Sequence, residues 1–343
     1  MTTTLDQPTP LTAPSQDAHL ATLARSGRAS AGQVVLAALR AQVAHLREQD
    51  PRVRQQLPGA VAQMRVTTRQ LRSTLHGFAR VLDPERTRPM AENLKWLGAQ
   101  LADARDTETL VEQLRHDVRA LPKDLIVGPI IAELRQAMGR LATEGAQTIA
   151  TAVTSARYQA LHDGLDQLLA DPPFTRRADG LALEELPHSL ATAVRKLERR
   201  LAQAQALAPG PERDEALHEA RKADKRLRYM TEVLIPLVGA PAHGLHRQSV
   251  QLQQLLGDYQ DSVVARQMLR LLATEAHAQG HNAFTYGLLY ACEHLRAEQV
   301  LRQLPERLAR LREVQTLSWL PQPPDARGAW SLPQQLPETS ATG

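Results

Sequence analysis

One spacing of basic residues occurs twice in this chain, first as Arg65, Arg69 and Arg72, then as Arg221, Lys225 and Arg228. Positions i, i+4 and i+7 fall on one stripe of an α-helix. Such a stripe spans roughly 10 Å at about 1.5 Å rise per residue, so two stripes facing each other would form an elongated cationic trough. That shape suits a linear polyanion. The duplication extends further: Leu71 and Leu227 keep the same offset, and Leu97, Leu101, Asp103 and Asp106 correspond to Leu252, Leu256, Asp258 and Asp261 at nearly the same one. Two segments repeated in one order indicate two structural halves of related architecture.

Composition agrees with helices. Of the 343 residues, 43% are hydrophobic but only 3% aromatic, which favours Leu/Ala helix packing in an all-α fold over a β-rich one. A net charge of +4 is modest, so what matters is where the positive charge is concentrated. From Val53 to Leu82 there is no Asp or Glu, while Arg54, Arg65, Arg69, Arg72 and Arg80 all fall inside that stretch. The single cysteine, Cys292, rules out an intrachain disulfide framework and is expected to be a small buried side chain. The N-terminus has neither a basic leader nor a continuous apolar run, and the apolar stretch around Leu125 to Ala132 contains Gly128 and Pro129. A cytoplasmic protein that spans no membrane is expected.

The division read along the chain is a disordered tail over 1–28, a first helical bundle over 29–170, a linker over 171–180, a second bundle over 181–320 and a Pro-rich disordered tail over 321–343. Helix starts are expected near Ser30, Pro58, Pro89, Thr107, Lys123 and Gly145, and near Leu183, Pro211, Leu245, Asp261, Asn282 and Gln303. The two motif helices are amphipathic. Met64, Leu71, Leu75, Phe78 and Leu82 form the apolar face of the first, beside Arg65, Arg69, Arg72 and His76. Ala220, Ala223, Leu227, Met230 and Leu234 do the same in the second, with His218, Arg221, Lys225 and Arg228 opposite. A basic stripe is by default a solvated face. Recurrence at one spacing argues against that default, as does the lack of acids that would make local i,i+4 pairs in the first copy. The second copy is less pure, since Glu219 and Asp224 sit among Arg221, Lys222, Lys225, Arg226 and Arg228.

These residues resemble the CHAD family, the conserved histidine α-helical domain, which binds inorganic polyphosphate. AVAQMRVTTRQLRSTLHGF is similar to its first motif and LHEARKADKRLRYM to its second, with LADARDTETL, RYQAL and LQQLLGDYQDSV as supporting segments, over about residues 30 to 318. The resemblance implies two similar helical bundles related by a pseudo-two-fold axis, with the motif helices lining a basic central channel. It implies phosphate contacts from Arg65, Arg69 and Arg72 in one half and from His218, Arg221, Lys222, Lys225, Arg226 and Arg228 in the other. Arg157 and Arg105, the latter beside Asp106, match less discriminating family positions. The chain departs from the pattern at Ala62, where the first motif normally has histidine, and at Gln70, where a second consecutive basic residue is common.

The losses at Ala62 and Gln70 weaken chemistry by a histidine pair more than they weaken a diffuse electrostatic channel, so binding without catalysis is expected. Guanidinium groups offer bidentate, charge-assisted hydrogen bonds to phosphate oxygens. There is no Walker-type loop. Asp103/Asp106 and Asp258/Asp261 are read as structural rather than as a metal site, and no cofactor is expected. His116, His162, His188, His243, His246, His281 and His294 show no ligand spacing and take no role. The expected partner is inorganic polyphosphate, and the expected place polyphosphate granules. A nucleic-acid-binding module is the alternative, though three Phe, three Trp and five Tyr leave few stacking platforms. A polyphosphate-processing phosphohydrolase or phosphotransferase is the second alternative.

Overall fold

Ser30 starts the first helix with a reciprocal cap: its Oγ accepts from the Gln33 amide at 3.2 Å, and its own amide donates to Gln33 Oε1 at 2.9 Å. From that cap the chain runs through α1 (Ala31–Arg54), α2 (Ala60–Gly77), α3 (Pro84–Gln100), α4 (Asp103–Ala120), α5 (Ile130–Thr154) and α6 (Ala156–Ala170). It continues through α7 (Ala182–Ala206), α8 (Pro211–Val238), α9 (Ala240–Ala278), α10 (Phe284–Arg302) and α11 (Leu304–Leu311). The computed structural model describes residues 27–101, 103–313 and 317–321, without the side chains of 103–109. Apart from Gly27, Arg28 and Pro321, both expected tails lie outside the described residues. Among the described residues there are two 3-10 turns, Lys123–Leu125 and Arg176–Asp179, and no strand, so the protein is all-α.

Several helix starts differ from the sequence expectation. α3 begins at Pro84, because Asp83 caps it by accepting from the Glu85 amide at 2.9 Å and Pro84 takes a first-turn position where no amide donor is needed; Pro89 lies inside. Lys123 opens only a short 3-10 turn. Gly145 is internal to α5, and the break falls at Ser155, whose Oγ accepts from the Tyr158 amide at 3.2 Å to start α6. Leu245 and Asp261 both lie within α9, a single helix of 39 residues. Cys292 is exposed, not buried. The buried face of α10 is set by Tyr286, Leu289, Glu293 and Ala297, and Cys292 falls beside that stripe.

The apolar faces read from the sequence are the ones that pack. Met64, Leu71, Leu75, Phe78 and Leu82, with Ala220, Ala223, Leu227, Met230 and Leu234, are all buried in one main core. That core takes side chains from both sides of residues 171–180. A smaller core joins Val111, Leu114 and Val118 of α4, Ile130 and Leu134 of α5, Ala265, Leu269 and Leu272 of α9, and Tyr286 and Leu289 of α10. α9 therefore belongs to both. The segment 171–180 is strapped to the first helices by backbone bonds, Asp83 N to Pro173 O at 2.8 Å, Thr175 N to Val81 O at 2.9 Å and Ala31 N to Gly180 O at 2.8 Å. No described helix is long and apolar enough to cross a membrane.

Candidate functional site: a cationic cluster on three helices

The helices that carry the two basic stripes, α2 and α8, pack directly against each other, and α7 packs on α8 and touches α2. The approach is close near the end of α2, where a Cβ at Gly77 would overlap the Met230 side chain of α8. Gly77 follows His76, and Met230 lies one turn beyond Arg226, so this contact sets Arg226 beside Arg72 and His76, whereas the Arg221, Lys225 and Arg228 stripe lies on the other side of α8 from Met230.

At that meeting point Arg72 and His76 of α2, Arg226 of α8 and Lys196 of α7 act on one another. Burial, then the Arg226 charge, lowers the pKa of the Arg72 guanidinium. Burial, Arg226, Arg72 and Lys196 together push the His76 imidazole below its ordinary value, although the residue stays partly exposed to solvent. Lys196 is lowered by burial and by Arg226, Arg200 and Arg199, against the opposing pull of Glu219. Burial also lowers Arg226, with Glu219 again opposing. Arg69 and Arg72 bury their Nε atoms without a hydrogen-bond partner among the described residues. Positive charge is thus gathered here faster than it is compensated.

The other cations of α8 are more closely accompanied. Lys222 Nζ donates to Glu219 Oε1 at 2.7 Å, a bond that holds the Glu219 carboxyl below its ordinary value. Arg228 Nε donates to Glu232 Oε1 at 3.1 Å, and its guanidinium stands 5.0 Å from the Tyr229 ring centroid. Burial raises the Glu232 carboxyl, but bonds from His246, Arg228 and Gln70 outweigh it and leave its pKa lowered. Through its 3.1 Å bond to Glu232, Gln70 ties α2 to α8. The guanidinium of Arg221 lies over Gly257 of α9. Among Arg221, Lys225 and Arg228 sits Asp224, fully buried, with its Oδ1 accepting from Ser249 Oγ at 2.7 Å. Burial dominates there and pushes the Asp224 carboxyl up to about 7.

The remaining sequence candidates are spread more widely. Arg65 heads the α2 stripe, half-buried. His218 turns toward α9, its Nδ1 lying 3.1 Å from Gln260 Oε1, and it lines a groove of about 830 Å³ with Arg213, Tyr259, Arg266 and His294. Burial, then Lys222, lowers its imidazole. Arg157 is drawn to α3, with its Nε 3.2 Å from Asn93 Oδ1 and its guanidinium 4.7 Å from the Trp96 ring centroid. It does not join the cluster. The side chains of Arg105, Asp103 and Asp106 lie outside the described residues. Asp258 is exposed, with Gln254 Nε2 donating to it at 2.7 Å.

The contribution of α7 was not read from the sequence. Arg195, Lys196, Arg199 and Arg200 recur at i, i+1, i+4 and i+5, a helical basic face that the run RKLERR carries openly. It has no counterpart in the duplicated triplets and contains Glu198, so a search by repetition passes over it.

Fold and cluster together define a class: an all-α protein whose paired basic helices, with a third beside them, build a cationic site from distant parts of the chain. The CHAD domain model matches residues 37–270, and the chain belongs to the CHAD family. It is 34% identical over 251 residues to the uncharacterized proteins MT2285 and Rv2226 of Mycobacterium tuberculosis, an alignment covering 72% of this chain and 47% of each relative. The chain therefore spans about half the length of the curated relatives it matches. Among solved structures, PptA from Streptomyces chartreusis superposes with a TM-score of 0.68 at 21% identity, over 82% of this chain and 100% of that one. The CHAD domain of the plant Ricinus communis superposes with a TM-score of 0.58 at 23% identity, over 84% and 91%. At these identities the likeness is one of fold.

Proposed function

We propose that this protein binds inorganic polyphosphate, without catalysis, in a basic channel where α2, α7 and α8 meet. The observation that carries the reading is the gathering of Arg72, Lys196 and Arg226 from three packed helices, with Glu219 as the carboxylate acting on Lys196 and Arg226. Mutually repelling cations held by a packed core are already arranged for a polyanion, and polyphosphate supplies about one negative charge per internal phosphate with no base to be read. Membership of a family that resembles polyphosphate-binding modules supports the same conclusion. In this reading Arg65, Arg69, Arg72, Arg221, Lys222, Lys225, Arg226 and Arg228 contact the chain, His218 extends the site toward α9, and Arg157 and Arg105 act at its margin. The two halves, divided at 171–180, are related by a pseudo-two-fold axis, and binding places the protein at polyphosphate granules in the cytoplasm.

Equilibrium binding to long-chain polyphosphate, in competition with RNA at equal phosphate and at two salt concentrations, tests this. Polyphosphate should win, with affinity falling as salt rises because counterions are released on binding. Arg69→Glu with Arg72→Glu should weaken binding by about tenfold or more, equivalent to about 1.4 kcal/mol, while Arg310→Glu on α11 should change it by less than about threefold. Orthophosphate release with magnesium or manganese should stay at background. RNA winning, or equal losses in all variants, would replace the channel by general charge attraction.

A further inference from the structure

The charge along the proposed channel is unevenly distributed. Lys222 is tied to Glu219, Arg228 to Glu232, and Arg221 and Lys225 border the Asp224 carboxylate. At the corner where α2, α7 and α8 pack together, the Arg226 charge bears on Arg72, His76 and Lys196, and Arg72 and Lys196 bear on His76, while Arg199 and Arg200 add to the field on Lys196 and Glu219 is the carboxylate opposing it there. The Gly77–Met230 contact fixes the helix approach beside this corner, so the backbones that carry the cations cannot draw apart without disrupting the core.

A phosphate chain is itself uneven. An internal phosphate carries about one charge, whereas a terminal group resembles a phosphomonoester, with a second pKa of about 6 and nearly two charges at neutral pH. It also offers three free oxygens rather than two. The densest cationic point should therefore take the densest anionic one. Resting on the polyphosphate reading, we propose that the corner of Arg72, His76, Lys196 and Arg226 seats the terminal phosphate of a phosphate chain, and that the stripes leading away hold its internal phosphates. Lys196 thereby becomes a ligand-contacting residue that the duplicated motifs do not include.

Calorimetric titration of the full chain at pH about 7.5, near-neutral conditions in which the terminal group is ionised, compares linear tripolyphosphate, cyclic tetrametaphosphate and long-chain polyphosphate. The ring is close to the linear trimer in charge but has no end. The trimer should bind about tenfold tighter than the ring or better. Lys196→Gln and Arg226→Gln should each bring that ratio below about two, with helical circular dichroism unchanged, whereas Arg221→Gln should weaken both ligands and leave the ratio standing. Equal affinities in the wild type, or a ratio that survives both corner variants, overturns the end seat while long-chain binding keeps the general reading. No binding of any of the three overturns both.

Discussion

Asp224 shows how one carboxylate can be kept inside a basic site. It faces Arg221, Lys225 and Arg228 of its own helix and Ser249 of α9, yet burial outweighs them and raises its carboxyl to about 7. A carboxyl whose folded pKa lies above its unfolded value of about 3.9 binds a proton more tightly when folded. Its contribution is then fully present below about pH 4 and is lost as pH rises toward 7. Asp224→Asn keeps an acceptor for Ser249 and removes this titration. Relative to the variant, the wild type should lose stability between about pH 4 and 7, by an amount on the order of 4 kcal/mol, and then level off. Urea midpoints of both proteins across that range measure it; parallel curves would show that Asp224 does not titrate there. None of this was visible in the sequence, where Asp224 reads as a partner for neighbouring arginines. Burial, which decides the matter, arises only when α9 closes over it.

Elements were legible where an apolar stripe and a cap agreed. Ser30 and Pro211 mark real helix starts, and the buried faces of α2 and α8 are those the spacing gave. What the sequence hid lay in continuity and in neighbours. α9 runs through Leu245 and Asp261 because its two ends pack in different cores, and no local signal reports that. His218 and Arg157 share stripes and segments with the other candidates but are drawn away by Gln260 and by Asn93 with Trp96, residues far off in sequence. The shared helix predicts separable effects. Leu269→Ala should cost about 2 to 5 kcal/mol by opening a cavity in the smaller core. Hydrogen exchange should rise in α4, α5 and α10 while α2 and α8 stay protected and polyphosphate binding changes little. Equal loss of protection in α2 would mean that the two cores unfold as one.

For the whole molecule, the main core is a joint product of the helices on either side of residues 171–180. Leu71 and Leu75 of α2 are buried in the same cluster as Leu227 and Leu234 of α8, while residues 171–180 are held to the first helices by backbone bonds and lend the core only Ala178. The covalent link should therefore be dispensable once the protein is folded. A protease site inserted after Arg176, which is exposed, allows the link to be cut. The fragments should elute as one species, keep their affinity for polyphosphate and part only in denaturant. Fragments that separate in native buffer would place the cohesion in the linker instead.

The Gly77–Met230 contact also sets an order of events during synthesis. Its two sides lie roughly 150 residues apart in the chain, which at about 5 to 20 residues per second leaves a gap of several seconds to half a minute between them. Over that interval α2 has only its sequence neighbours α1 and α3 to pack on, the part of its face that meets α8 stays open, and its arginines stand beside it with no acid within the segment from Val53 to Leu82. Helices that meet late in synthesis thus leave the α8-facing part of α2 as a late-closing piece of the main core.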